Sequence, residues 1–219
     1  MKIGIDEVGR GCLAGPVVVA AALIPDEKKF IRVFTEAGMP ELRDSKKMTP
    51  RAREIWYRWM KEEGAERSGV LWCFSKALPR TIDKINISAS ANKAAYAAFS
   101  RVVPEGSVTV RIDGGLYLRS KYFQISNFGE GRIKVTTLPK SDNEAIEVKL
   151  ASVMAKVYRD RMMMKLHELY PRYGFRNHKG YGTREHREAL LENGPIEGVH
   201  RKTFISSLID SGQYIAGKY

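Results

Sequence analysis

Pro16–Pro25 reads PVVVAAALIP, eight apolar residues without interruption between two prolines. A run of this length bounded by turn residues suits a strand buried on both faces, and such a strand needs packed layers above and below it. Before it, Lys2–Asp6 alternates into a second strand, and the Gly9–Gly15 loop between the two holds three glycines, which gives a tight connection. Further strands are expected at Val70–Ala77, Ser107–Asp113 and Arg132–Leu138. Thr49 caps and Pro50 starts a helix with an apolar stripe of Ile55, Trp56, Trp59 and Met60. Ile87–Val102 is an alanine-rich helix suited to close packing on a sheet. Glu144–Tyr170 is the longest helix, with Ile146, Leu150, Val153, Val157 and Met164 on its apolar face. A short helix follows Thr183. This order predicts an α/β fold, a mixed sheet flanked by helices.

The chain of 219 residues is long enough to bury a core without covalent staples, and 28% charged residues against 43% hydrophobic ones exclude a disordered chain. Cys12 and Cys73 form no CxxC pair, which excludes a cysteine zinc site and a thioredoxin-type motif. The N-terminal MKIGIDEVGRG has no apolar signal core, and no apolar stretch reaches the ~20 residues of a membrane span. A cytoplasmic protein with no membrane partner, acting as a monomer, is expected. Thirty-seven basic against 25 acidic residues leave a net charge of +12, which favours a polyanionic partner, with nucleic acid the default.

Acids on so basic a chain need a reason. Asp6 and Asp113 are expected to end their strands, Glu7 to lie in the following turn, and Asp142 to precede the long helix. Singly, each has a plain account: strand-end acids solvate an edge, and Ser141-Asp142-Asn143-Glu144 is an S-x-x-E capping box. Together, three acidic stations in a phosphate-binding protein make sense with a cation between them. Hard divalent ions take oxygen ligands, and two of them activate water and stabilise the leaving oxygen in phosphodiester cleavage. The four histidines, His167, His178, His186 and His200, lack zinc spacing and read as surface or structural. Asp160, beside Arg159 and Arg161, reads as a structural ion pair.

Seven motifs carry a resemblance in family order: GIDEVGRGCLAGPVV at 4–18, RDSKKMT at 43–49, IDKIN at 82–86, RIDGG at 111–115, KSD at 140–142, ASVMAKVYRDR at 151–161 and HKGYGT at 178–183. The chain resembles the type 2 ribonuclease H family (ribonuclease HII). The resemblance implies a ribonuclease H-like fold with a mixed five-stranded sheet and a helical C-terminal part. It places the catalytic domain at 1–203 and leaves a tail of unassigned role at 204–219. It also implies an endonuclease using Mg²⁺ or Mn²⁺ on RNA–DNA hybrid duplexes and on DNA with embedded ribonucleotides. The cut would fall 5′ to the ribonucleotide and leave 3′-hydroxyl and 5′-phosphate ends.

By motif, Asp6, Glu7, Asp113 and Asp142 would be the metal ligands and catalytic acids. The main chain of Gly9, Arg10 and Gly11 would read the ribose 2′-OH, Tyr181 would pack on the sugar at the junction, and Lys46 and Lys47 would meet phosphates. Ser152, Lys156 and Arg159 share one helix face that would support the site, and a solvated face serves Arg159 equally well. Ser141 stands where the family normally has glycine or alanine. Cys12 stands where it commonly has proline, which either loosens the loop or sets a thiol beside the metals. Two rivals remain from the residues: a non-catalytic nucleic-acid binder, and a nuclease or integrase of the same fold that cuts DNA lacking ribose.

Overall fold

The computed structural model describes residues 1–113, 115–118, 132–138 and 145–210. Five strands form one sheet: β1 (Lys2–Val8), β2 (Val17–Ile24), β3 (Leu71–Ala77), β4 (Val108–Asp113) and β5 (Ile133–Leu138), in the order β3-β2-β1-β4-β5. β1 pairs antiparallel with β2 and β2 with β3, whereas β1–β4 and β4–β5 are parallel, so the sheet is mixed as expected. Every residue of β2 is buried, in keeping with its unbroken apolar run.

The described helices are α1 (Glu27–Glu36), α2 (Pro50–Trp59), α3 (Ala65–Ser68), α4 (Pro79–Ile85), α5 (Ile87–Phe99), α6 (Ile146–Leu169), α7 (Phe175–His178), α8 (Arg184–Asn193) and α9 (Lys202–Asp210). On one sheet face the alanines of α5 (Ala91, Ala94, Ala95, Ala98) pack with Ile3, Ile5, Val17 and Val110. On the other face α1, α2 and α6 cover Val18, Ala20 and Ala22. α6 crosses β1 at Gly4, where a Cβ would lie 2.1 Å from the Glu147 carbonyl carbon, so only glycine lets helix and strand approach this closely. A third cluster, including Met163, Tyr173, Phe175 and Leu190, forms the helical C-terminal part.

Several sequence expectations need correction. β1 does not end at Asp6 but runs through Glu7 to Val8, because its ladder with β2 continues to Val8↔Val18. In α2, Ile55 is exposed and Tyr57 takes its place in the core, recruited by stacking on Phe74 and by the Arg161 guanidinium 4.3 Å over its ring. In α6, Met164 is exposed and Met163 is buried. By that point the helix has passed the sheet, and the C-terminal cluster decides which side faces inward. α1 and α4 lie outside the expected helices, although Asp26 caps α1 by accepting from the Lys29 N–H at 3.0 Å. Asp160 does form a structural ion pair as expected, its partner being Lys156 at 2.7 Å, since a helical pair meets at i and i+4 and not at the neighbouring positions of Arg159 and Arg161. Among the described residues, no helix is long and apolar enough to cross a membrane.

Candidate active site

The parallel ladder of β1 and β4 closes at Ile5↔Ile112, so Asp6 and Asp113 are the next residues on adjacent strands. Beyond that pair the strands open into a cleft of about 710 Å³ lined by Asp6, Glu7 and Asp113. Carboxyl ends of neighbouring parallel strands are where open α/β sheets place sites. Asp6 and Glu7 alternate along β1, yet both reach the cleft because it sits off the end of the parallel pair rather than on one sheet face. The glycine loop (Gly9, Arg10, Gly11), Lys46 and Tyr181 line the same space. Lys47 is exposed and stands outside that lining, and Asp142 lies outside the described residues.

Burial raises the Asp6 carboxyl to about 8, against a lowering hydrogen bond from Ser152 and with the charges of Glu7 and Asp113 adding to the rise. Burial also raises Glu7, opposed by Arg10, whose Nη1 lies 3.6 Å from Oε1. The other oxygen, Oε2, is buried without a hydrogen-bond partner. Buried, mutually repelling carboxylates with an unpartnered oxygen form a hard all-oxygen donor set, and a divalent cation fits them. Among the described residues, no group of three or more His, Cys, Asp and Glu side chains forms a ready-made metal cage.

The turn that carries Lys46 is fastened to the acids through serine. Asp44 accepts from the Lys46 N–H at 2.7 Å and so fixes the turn, and Ser45 Oγ lies 2.8 Å from Ser152 Oγ, which in turn bonds Asp6. Arg53 also lines the cleft and donates to the carbonyls of Ser45 and Met48 at 2.7 and 2.6 Å. The sequence reading missed Arg53, since one arginine on a basic helix gives no signal.

Arg159 is fully buried, which settles its two open readings against a solvated face. It donates to the carbonyls of Pro16, Lys179 and Ala14 at 3.0, 2.8 and 3.1 Å. Cys12 is buried behind the loop in a bridge to Tyr181, and burial pushes its thiol up, so it is not a cleft thiol. His178, His186 and His200 are buried and hydrogen-bonded to one another or to main chain, as structural histidines should be.

The profile of the family described as ribonuclease HII matches residues 3–207. The chain belongs to the ribonuclease HII family. Its similarity to ribonuclease HII of Fusobacterium nucleatum is 36% identity over 212 residues, 95% of this chain and 87% of that protein. The ribonuclease HII of Nitratidesulfovibrio vulgaris is 39% identical over 202 residues, 92% of this chain and 84% of the other. Among solved structures, a chain of the PCNA:RNase HII complex from Archaeoglobus fulgidus is 25% identical with a TM-score of 0.65, covering 95% of this chain and 96% of that one. Ribonuclease H2 from Pyrococcus horikoshii, 24% identical with a TM-score of 0.69 over 96% and 97% of the two chains, shares the fold. The fold is thus that of ribonuclease HII, and the family is one of nucleases.

Proposed function

We propose that this chain is a divalent-metal-dependent endonuclease that hydrolyses the phosphodiester 5′ to ribonucleotides, both in RNA–DNA hybrids and at single ribonucleotides within duplex DNA. The products are a 3′-hydroxyl and a 5′-phosphate. The observation that carries this reading is the meeting of Asp6, Glu7 and Asp113 in one cleft with the Gly9–Gly11 loop and Tyr181. Acids alone would suit many metal nucleases; a glycine main chain and an aromatic ring beside them suit close inspection of a sugar.

Asp6, Glu7 and Asp113 would hold the cation, with Asp142 as the fourth ligand brought by the KSD motif. Mn²⁺ is bound by a fold relative, Bst-RNase HIII, 17% identical with a TM-score of 0.63, and Mg²⁺ suits the same donors. A bound divalent ion supplies charge neutralisation at the phosphate and activation of the attacking water. The protein's own groups orient the substrate. Lys46, Lys156 and Arg53 surround the acids with positive charge for the phosphates. Arg10 is tied by its side chain to Gly115 O and Ser88 Oγ at 2.7 and 3.0 Å, which leaves its main chain to face the sugar. Tyr181, 40% exposed and backed by the Arg159 guanidinium 5.9 Å from its ring, offers a flat apolar surface.

Cleavage of a duplex carrying one ribonucleotide, with and without added Mg²⁺ or Mn²⁺, tests this directly. The expected result is a metal-dependent cut 5′ to the ribonucleotide, and no cut when that sugar is deoxyribose or 2′-O-methyl ribose. Equal cutting of the ribo and all-deoxy duplexes overturns the assignment.

A further inference from the structure

Arg201 lies behind the glycine loop, on the side away from the cleft, and is fully buried. Among the described residues its guanidinium forms no ion pair with a carboxylate. It donates instead to three carbonyls: Nη2 to Gly9 at 2.6 Å, Nη1 to Arg10 at 2.8 Å and Nε to Gly15 at 3.0 Å. Its own N–H donates to Leu13 O at 2.8 Å, and the Gly15 N–H donates to Val199 O at 2.8 Å, so side chain and main chain grip the same loop. Burial pulls Arg201 down only to about 10, which leaves it charged at neutral pH.

A trans peptide is planar, and its C=O and N–H point in opposite directions. With the Gly9 and Arg10 carbonyls turned toward Arg201, the Arg10 and Gly11 N–H groups are turned away from it. The cleft lies on that side, since Gly9, Arg10 and Gly11 line it. Gly9, at φ +87°, supplies the left-handed turn that makes this orientation possible. A Cβ there would also fall 2.1 Å from Arg159 Nε.

We infer that Arg201 is the positioning residue for ribose selectivity: by holding the Gly9 and Arg10 carbonyls on the far side of the loop, it aims the Arg10 and Gly11 N–H donors at the 2′-hydroxyl of the bound nucleotide. The inference rests on the proposed reading of that hydroxyl by the glycine loop. Arg201 touches no substrate itself. Without its fork the two peptides can rotate and present carbonyls to the cleft, and recognition weakens while phosphate contacts persist.

The test is binding of two duplexes in EDTA, one with a single ribonucleotide and one all-deoxy, to wild type, Arg201→Lys, Arg201→Gln and Leu190→Ala. Leu190→Ala opens a cavity in the same C-terminal cluster without touching the loop and reports loss of stability alone. The ribo-over-deoxy affinity ratio should fall about tenfold in the Arg201 variants, the worth of roughly one to two hydrogen bonds, with all-deoxy affinity kept. Leu190→Ala should keep the wild-type ratio. A wild type that discriminates, beside Arg201 variants that discriminate equally well, overturns the inference while leaving the 2′-OH reading intact. A wild type that neither binds nor cuts the two duplexes differently overturns that reading, and the inference with it. Should the Arg201 variants not fold, amide exchange of wild type decides. The Arg10 and Gly11 amides should be protected by the ribonucleotide duplex and not by the all-deoxy one, and equal exchange in both complexes overturns the inference.

Discussion

The Nε2 atoms of His186 and His200 stand 3.2 Å apart in the interior, and their other ring nitrogens decide which of them carries the shared proton. His200 Nδ1 receives the Ile196 N–H at 2.8 Å, so its proton is on Nε2. His186 Nδ1 faces the Tyr181 carbonyl at 2.9 Å and must donate to it, so its Nε2 accepts. A chain of neutral imidazoles therefore runs from Ile196 to the main chain of Tyr181.

That chain predicts acid sensitivity. Burial lowers His186 to about 4 and His200 to about 3, both from 6.5. Between 6.5 and those values the unfolded chain takes up protons that the folded one refuses. Their contribution is complete above pH 6.5 and declines as pH falls, by up to about 1.4 kcal/mol per pH unit for each histidine. From pH 6.5 to 4.5 the two histidines lower the melting temperature, against a smaller opposite contribution from the raised Asp6 and Glu7 carboxyls, so wild type should still lose stability on acidification. His200→Gln should start lower and fall less steeply, and parallel slopes would count against the assignment.

Asp113→Asn keeps size while removing one oxygen charge from the cleft. Cleavage of the single-ribonucleotide duplex should fall about a thousandfold or more, and the Asp142→Asn variant should match it. Wild type should gain melting temperature with added Mg²⁺ or Mn²⁺, and Asp113→Asn should gain less. Near-normal cleavage by both variants would remove the carboxylate model.

Lys46 and Lys47 are adjacent and both exposed, but only Lys46 lines the cleft. Lys46→Ala should weaken ribonucleotide-containing and all-deoxy duplexes alike and flatten the salt dependence by about 0.9 in log–log slope, with a smaller effect from Lys47→Ala. A loss confined to the ribonucleotide duplex would move Lys46 into sugar recognition.

Two glycines separate folding from function. Gly4→Ala drives a Cβ into the backbone of α6 and should destabilise by about 3 kcal/mol or more, read by urea unfolding. At Gly11 a Cβ meets nothing within 4 Å, so Gly11→Ala should keep its melting temperature and still lose at least tenfold in ribonucleotide cleavage, because the methyl enters the cleft. Unchanged cleavage by Gly11→Ala would argue against close sugar approach at this loop.

The sequence by itself determined the layers and the strand set. An unbroken apolar strand, an alanine-rich helix and alternating strands ending near acids each report their own burial, since periodicity is a local consequence of which face meets the core. It also exposed the acids and the glycine loop, because their residue types are costly without a purpose. Tertiary structure alone decided that β1 extends through Glu7, since only the partner strand β2 shows where a ladder stops. It decided that Tyr57 and Met163 replace Ile55 and Met164 in the core, because the neighbours that bury a helix face come from distant sequence. And it decided the place of two arginines: Arg159, open between a site-supporting and a solvated face, and Arg201, which gives no signal in the sequence, each have backbone carbonyls from residues 9–16 brought around the guanidinium by the fold. No spacing rule encodes that, because the partners are main-chain atoms that every residue carries.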